Sequence, residues 1–273
     1  MSRTLSSPPF TVSTVCLRRY PFARSLEVAR ELGFDAVDLV GLRGLCEHVP
    51  PDGSREELRA VAAEFRRSGL RAASVNADPG SFDGADPVLE VRARVERLLE
   101  FCEAAGAPLL VLPCGEKTTG RTAEPRFDMM AEELNRAAET AASRGIRLAV
   151  EAPYFGRPID TLDRTATLLE LLAPEVQLAY DVSHVEAADE SVVDGWHRFA
   201  DRVAVVHLRD AVSGNVRRVI GAGRVDFAGF LTAVADSSFA GDVVLELETR
   251  DSPYASKEEE VLAAVDYLTA ATA

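Results

Sequence analysis

Glu151, Asp181, His207 and Glu246 each close a short apolar run rich in β-branched residues: IRLAVE, VQLAYD, VAVVH and DVVLE. Three carboxylates and one imidazole form a hard, oxygen-rich donor set. Such a set suits Mn²⁺, Mg²⁺ or Co²⁺ better than a structural zinc, which favours sulfur and nitrogen, and zinc stands as a further candidate. Three negative charges facing one another are costly unless a cation lies between them. Any one of these acids alone reads as a helix cap or a surface ion pair. Four at matched positions point to one shared divalent ion. Such an ion handles the carbonyl and neighbouring hydroxyl of a small polyol-like substrate.

Residues that meet this way must stand at the ends of parallel strands, and the rest of the chain supplies them. Strand-like runs at Phe10–Leu17, Ala36–Val40, Leu70–Asn76, Pro108–Leu112, Ile146–Glu151, Val176–Tyr180, Val203–Leu208 and Asp242–Leu247 alternate with helical patterns. Those helices are expected over Pro21–Leu32, up to Ser68 after a cap at Asp52 or Ser54, and over Pro87–Ala105 and Phe127–Ser143. Asp160–Leu172, Ala188–Ala200, Asp226–Asp236 and Ser256–Leu268 follow. Glycines 33, 69, 106 and 145 stand where helices stop. Strand–helix alternation implies parallel pairing, because each crossover needs a helix. Eight units in 273 residues predict an α/β fold, a single-domain (β/α)₈ TIM barrel over residues 10–273, behind a flexible tail at 1–9.

Composition narrows the partners. The 44 acidic against 30 basic residues give a net charge of −14, which argues against a long nucleic-acid footprint. No apolar run is long enough to span a membrane, and MSRTLSSPPF lacks the apolar core of a secretory signal. Cys16, Cys46, Cys102 and Cys114 show no C-x-x-C spacing and read as free thiols of a cytoplasmic protein.

The segments GFDAVDL, LAVEAP, LAYDVSH, VVHLRDA…GAGRVDF and FAGDVVLELE resemble the sugar phosphate isomerase/epimerase superfamily, the xylose-isomerase-like TIM barrels. The most specific parts are D-x-x-H at Asp181–His184, V-H-L-x-D at Val206–Asp210 and G-x-G-x-x-D-F at Gly221–Phe227. The resemblance implies metal ligands at Glu151, Asp181, His207 and Glu246, with Glu248, of the same strand parity, as the alternative fourth ligand. It makes His184, three residues after a proposed ligand and at the start of the loop, a substrate contact. Asn76, Glu116, Arg157 and Arg217 are candidate pocket residues, against the plain reading of polar or solvated loops. His48 is a weaker candidate, and His197 sits in a helix away from the strand ends. Gly221-x-Gly223 is wrongly placed for a dinucleotide fingerprint.

The activity this implies is a metal-dependent isomerase or epimerase, in which Glu151 and Glu246 move a proton on opposite faces of a ketose. The alternative is a dehydratase of the inosose or dehydroshikimate type, which shares the first step. A nuclease of the endonuclease IV kind would need a histidine cluster, and this chain has four histidines in all. The ketose 3-epimerases of the superfamily carry an N-R-aromatic-E segment after the first ligand; here the stretch is Pro153-Tyr154-Phe155-Gly156-Arg157. An arginine in place of that acid favours an anionic substrate. A homodimer or tetramer is in keeping with the superfamily.

Overall fold

The computed structural model describes residues 9–115 and 125–272. Eight parallel strands carry the chain around a single axis: Thr11–Ser13 (β1), Ala36–Leu42 (β2), Arg71–Ala77 (β3), Leu109–Pro113 (β4), Arg147–Glu151 (β5), Val176–Asp181 (β6), Val203–Leu208 (β7) and Asp242–Leu245 (β8). β1 pairs with both β2 and β8, which closes the sheet into a barrel. The outer ring comprises Phe22–Glu31 (α1), Arg55–Ser68 (α2), Val88–Ala105 (α3), Phe127–Ser143 (α4), Leu162–Leu171 (α5), Val182–Ala187 (α6), Val192–Phe199 (α7), Phe227–Ala235 (α8) and Lys257–Ala271 (α9).

Local signals explain these bounds. Ser54 rather than Asp52 caps α2, in a reciprocal capping box with Glu57. Gly69 then ends the helix in the left-handed region at φ 74°. Ser54→Ala removes one arm of that box and is expected to cost about 1 kcal/mol. In a domain of this size that lowers the thermal midpoint by roughly 2–4 °C, read by circular dichroism. An unchanged midpoint would show that the exposed cap is idle.

Three expectations need correction. The first strand is three residues rather than eight, because the Ser13 side chain accepts from the Val15 N–H and turns Thr14–Leu17 into a 3₁₀ helix. The helix expected over Ala188–Ala200 is shorter, Val192–Phe199, and a further helix, α6, precedes it at Val182–Ala187. Asp181 starts α6 by accepting from the Ser183 N–H at 2.7 Å, Asp189 breaks the path at φ 61°, and Ser191 caps α7. The loop after β7 contains an antiparallel hairpin, Asp210–Val212 with Asn215–Arg218.

The barrel interior is filled from below. Ala149, Ala179, Val205 and Val244 form one buried cluster with Leu109, Val111 and Ala204. The first four lie two residues before Glu151, Asp181, His207 and Glu246. Side chains alternate along a strand, so each points to the same side as the polar residue above it. The apolar layer is therefore the floor of whatever the four polar residues form.

Candidate metal centre

Adjacent strands bring the quartet together through their register. Asp181 pairs directly with His207 across β6 and β7, and Val244 of β8 lies level with His207. Glu246 then follows the end of β8, its N–H bonded to the Leu208 carbonyl at 3.1 Å. One donor atom from each of Glu151, Asp181, His207 and Glu246 lies within 4.8 Å of the others, and all four residues are buried. His207 Nδ1 stands 3.5 Å from both Glu151 Oε1 and Glu246 Oε2.

This donor set fits a cation on its own terms. Glu151 Oε1, Glu246 Oε2 and both His207 ring nitrogens are buried and make no hydrogen bond. Buried polar atoms are rarely left so, and here three of the four point at one spot. The electrostatics agree. Burial lifts the Glu151 carboxyl to about 7. Burial would lower the His207 imidazole, but Glu246 and Glu151 outweigh it and hold the ring well above its usual range. The pocket thus draws positive charge to itself.

Part of that charge comes from Arg209, which the motif V-H-L-x-D left as an unread position. It is 2% exposed. It donates to Asp181 Oδ2 and to Ser183 Oγ at 2.9 Å, forms an ion pair with Glu248 Oε1 at 2.8 Å, and lies 3.5 Å from Glu246 Oε2. Burial would raise the Asp181 carboxyl, yet Arg209, with His184 and His207, holds it well below the usual carboxylate range. Glu248, with the same strand parity as Glu246, sits one step outward on Arg209 and outside the quartet.

His184 lies on the first turn of α6, not in a loop, and is 1% exposed. Its Nε2 is 3.8 Å from both Glu151 Oε1 and Asp181 Oδ2, and 3.0 Å from Arg209 Nη2. Its Nδ1 accepts from the Phe155 N–H at 3.1 Å. Nε2, the nitrogen that faces the quartet, meets the Arg209 guanidinium, a group that can only donate. The Tyr154 ring lies on His184 with centroids 4.0 Å apart, and the Arg157 guanidinium caps Tyr154 at 4.8 Å.

The remaining expected residues divide. Asn76 reaches the centre, donating Nδ2 to Glu246 Oε1 at 3.2 Å. Arg157 is buried at the mouth, bonded to Asp78 Oδ2 at 2.7 Å and to the Gly115 carbonyl. Arg217, on the hairpin, stands 3.9 Å from Glu248 Oε2. His48 joins the Tyr20 carbonyl through Nε2 at 3.0 Å and packs on Phe22, which ties two loops together. Glu116 lies outside the described residues. Asp210, the last residue of V-H-L-x-D, accepts from the N–H groups of Ala211, Gly221 and Gly223, each at 2.8 Å. A Cβ at Gly223 would fall 2.1 Å from Asp210 Oδ1, which explains why that motif pairs an aspartate with a glycine.

The sequence model of a family described as xylose isomerase-like TIM barrel matches residues 26–271. Among curated proteins, an inosose dehydratase of Geobacillus kaustophilus is 27% identical over 152 residues, 49% of each chain. A 3-dehydroshikimate dehydratase of Pseudomonas aeruginosa is 27% identical over 234 residues, which are 81% of this chain and 35% of that one. The chain thus spans half or less of the length of these relatives. Among solved structures, the IolI protein with a bound zinc atom superposes at TM-score 0.76 and 17% identity, covering 95% of this chain and 96% of its own. An L-ribulose 3-epimerase also superposes at 0.76, with 18% identity and 96% and 93% coverage. At those identities the two superpositions speak for the fold. No helix among the described residues is long and apolar enough to cross a membrane.

Proposed function

Because the chain belongs to the xylose isomerase-like TIM barrel family, we propose that it is a divalent-metal-dependent dehydratase acting on a small polyhydroxylated ketone of the inosose or dehydroshikimate kind. Glu151, Asp181, His207 and Glu246 would hold the ion, which when bound polarises the ketone and offsets the charge that develops as the neighbouring C–H bond breaks. The observation that carries the reading is the convergence of that quartet, with His184 Nε2 only 3.8 Å from two of its members.

Elimination of water needs a base for the α-hydrogen and an acid for the departing β-hydroxyl. Glu151 is placed for the first role, with Oε1 buried and unbonded at the centre. His184 is placed for the second: the Phe155 N–H and the Tyr154 ring hold its plane, with Nε2 turned toward the quartet. The α-proton goes to the carboxylate. The β-hydroxyl leaves as water with the His184 proton, and the C–C bond becomes the alkene of an enone. Arg209 balances the carboxylates, and Asn76 orients Glu246.

The isomerase or epimerase reading placed first by the sequence yields to the lyase on two counts. The curated relatives named above are dehydratases. Moreover, the position where ketose 3-epimerases carry an acid here holds Arg157, bonded to Asp78. The test runs purified protein with Mn²⁺ against an inosose, 3-dehydroshikimate and a set of ketoses in D₂O. Appearance of a conjugated absorbance with the cyclic ketones is expected. Deuterium entering a recovered ketose without loss of water would overturn the lyase in favour of the epimerase.

A further inference from the structure

The segments after β7 and β8, with Tyr267 of α9, line a cleft of about 690 Å³. Its walls bear Arg217 and Arg218 from the hairpin and Arg250 from the segment after β8, opposed by the single acid Asp251. In a chain of net charge −14 this is a local reversal of sign. Arg218 and Arg250 form no ion pair or side-chain hydrogen bond with any described residue, whereas many other arginines of the chain are paired with carboxylates. Arg217 has only the 3.9 Å approach to Glu248. Tyr254 and Tyr267 line the same space at 37% and 46% exposure. Tyr267 stands there because residue 221 is glycine: a Cβ at Gly221 would meet its ring at 2.7 Å.

We infer that this cleft binds a phosphoryl group carried by a small molecule, the tyrosines flanking the adjoining carbon skeleton. Three guanidinium groups lining one cleft exceed what one carboxylate can use and match a dianion with three acceptor oxygens. The volume lies in the range of small-ligand sites. The loops after the last two strands are also a recurrent phosphate position in barrels of this topology. A relay of side chains runs from the cleft to the proposed metal centre: Arg217 lies 3.9 Å from Glu248, Glu248 is ion-paired with Arg209, and Arg209 donates to Asp181. Resting on the function proposed above, this makes the substrate a phosphorylated polyhydroxy ketone whose carbonyl end reaches the quartet.

The experiment is calorimetric titration of inorganic phosphate into the full-length protein, with acetate as the monoanionic comparator. A dissociation constant on the order of millimolar is expected for phosphate and much weaker binding for acetate. Arg218→Ala/Arg250→Ala should weaken phosphate roughly tenfold or more. Arg136→Ala/Arg198→Ala, which removes equal charge from distant helices, should leave it unchanged. Glu246→Gln, which disables the quartet, should also leave it unchanged. Binding lost in Glu246→Gln but kept in Arg218→Ala/Arg250→Ala would put phosphate on the metal, overturning the cleft while sparing the metal reading. Equal loss in both double variants, equal affinity for acetate, or no phosphate binding in the wild type would also overturn it.

Discussion

His207→Ala is expected to remove divalent-metal binding and, with it, turnover. Losing a residue that merely orients a ligand costs about 10–100-fold in metal affinity or activity. Loss of a direct ligand should exceed that, by on the order of 10³-fold in kcat/KM. A readout independent of activity comes from linkage: a ligand that binds only the folded state stabilises it by about 2.7 kcal/mol at a hundredfold excess over Kd. The wild-type thermal midpoint should therefore rise on titration with Mn²⁺ or Zn²⁺, and that of His207→Ala should stay flat. Elemental analysis should give about one equivalent per chain before the substitution and a small fraction after it, as befits a four-donor site. A metal-dependent rise that survived in His207→Ala would place the ion elsewhere and end the quartet reading.

Arg209→Met is the second large effect, and it concerns stability. The guanidinium is buried against Asp181 and Glu248, with Glu246 3.5 Å away. Removing one partner from a buried pair strands the other as an uncompensated charge, which costs roughly 3–5 kcal/mol. Against a total of about 5–15 kcal/mol for a folded protein, that is a large share. Two controls identify the cause. Glu248→Gln introduced with Arg209→Met should recover part of the loss, because neighbouring charges are not additive. Saturating divalent metal should recover more, because a cation in the quartet supplies the charge that Arg209 did. A loss under 1 kcal/mol in urea unfolding with chelator present would show that the carboxylates are content without the arginine.

The barrel was legible because its signals are long and redundant. Each helix pattern spans several turns, the strands are β-branched runs, and Gly69 and Gly106 mark ends that φ angles of 74° and 77° require. The quartet was legible for a related reason: all four residues follow apolar runs at the same phase. What escaped was short or came from tertiary contact. α6 has six residues, too few for a period to show, so His184 read as a loop residue although Asp181 starts a helix beneath it. β1 read long because Thr14–Leu17 has strand composition, and only the Ser13 side chain diverts it. The hairpin after β7 turns at Gly214, φ 70°, inside a stretch that looks like plain loop. Arg209 was within reach: it shares parity with His207, two residues on, and alternation alone aims it at the same mouth.

The floor formed by Ala149, Ala179, Val205 and Val244 sets the traffic of the site. On that side of the barrel those side chains offer no polar atom to pass a proton or host a water, whereas on the opposite side buried Asp38 lies between the hydroxyls of Ser13 and Ser74. Beneath the quartet, a proton can therefore be exchanged only with groups above the apolar layer or across the barrel, not with anything directly below.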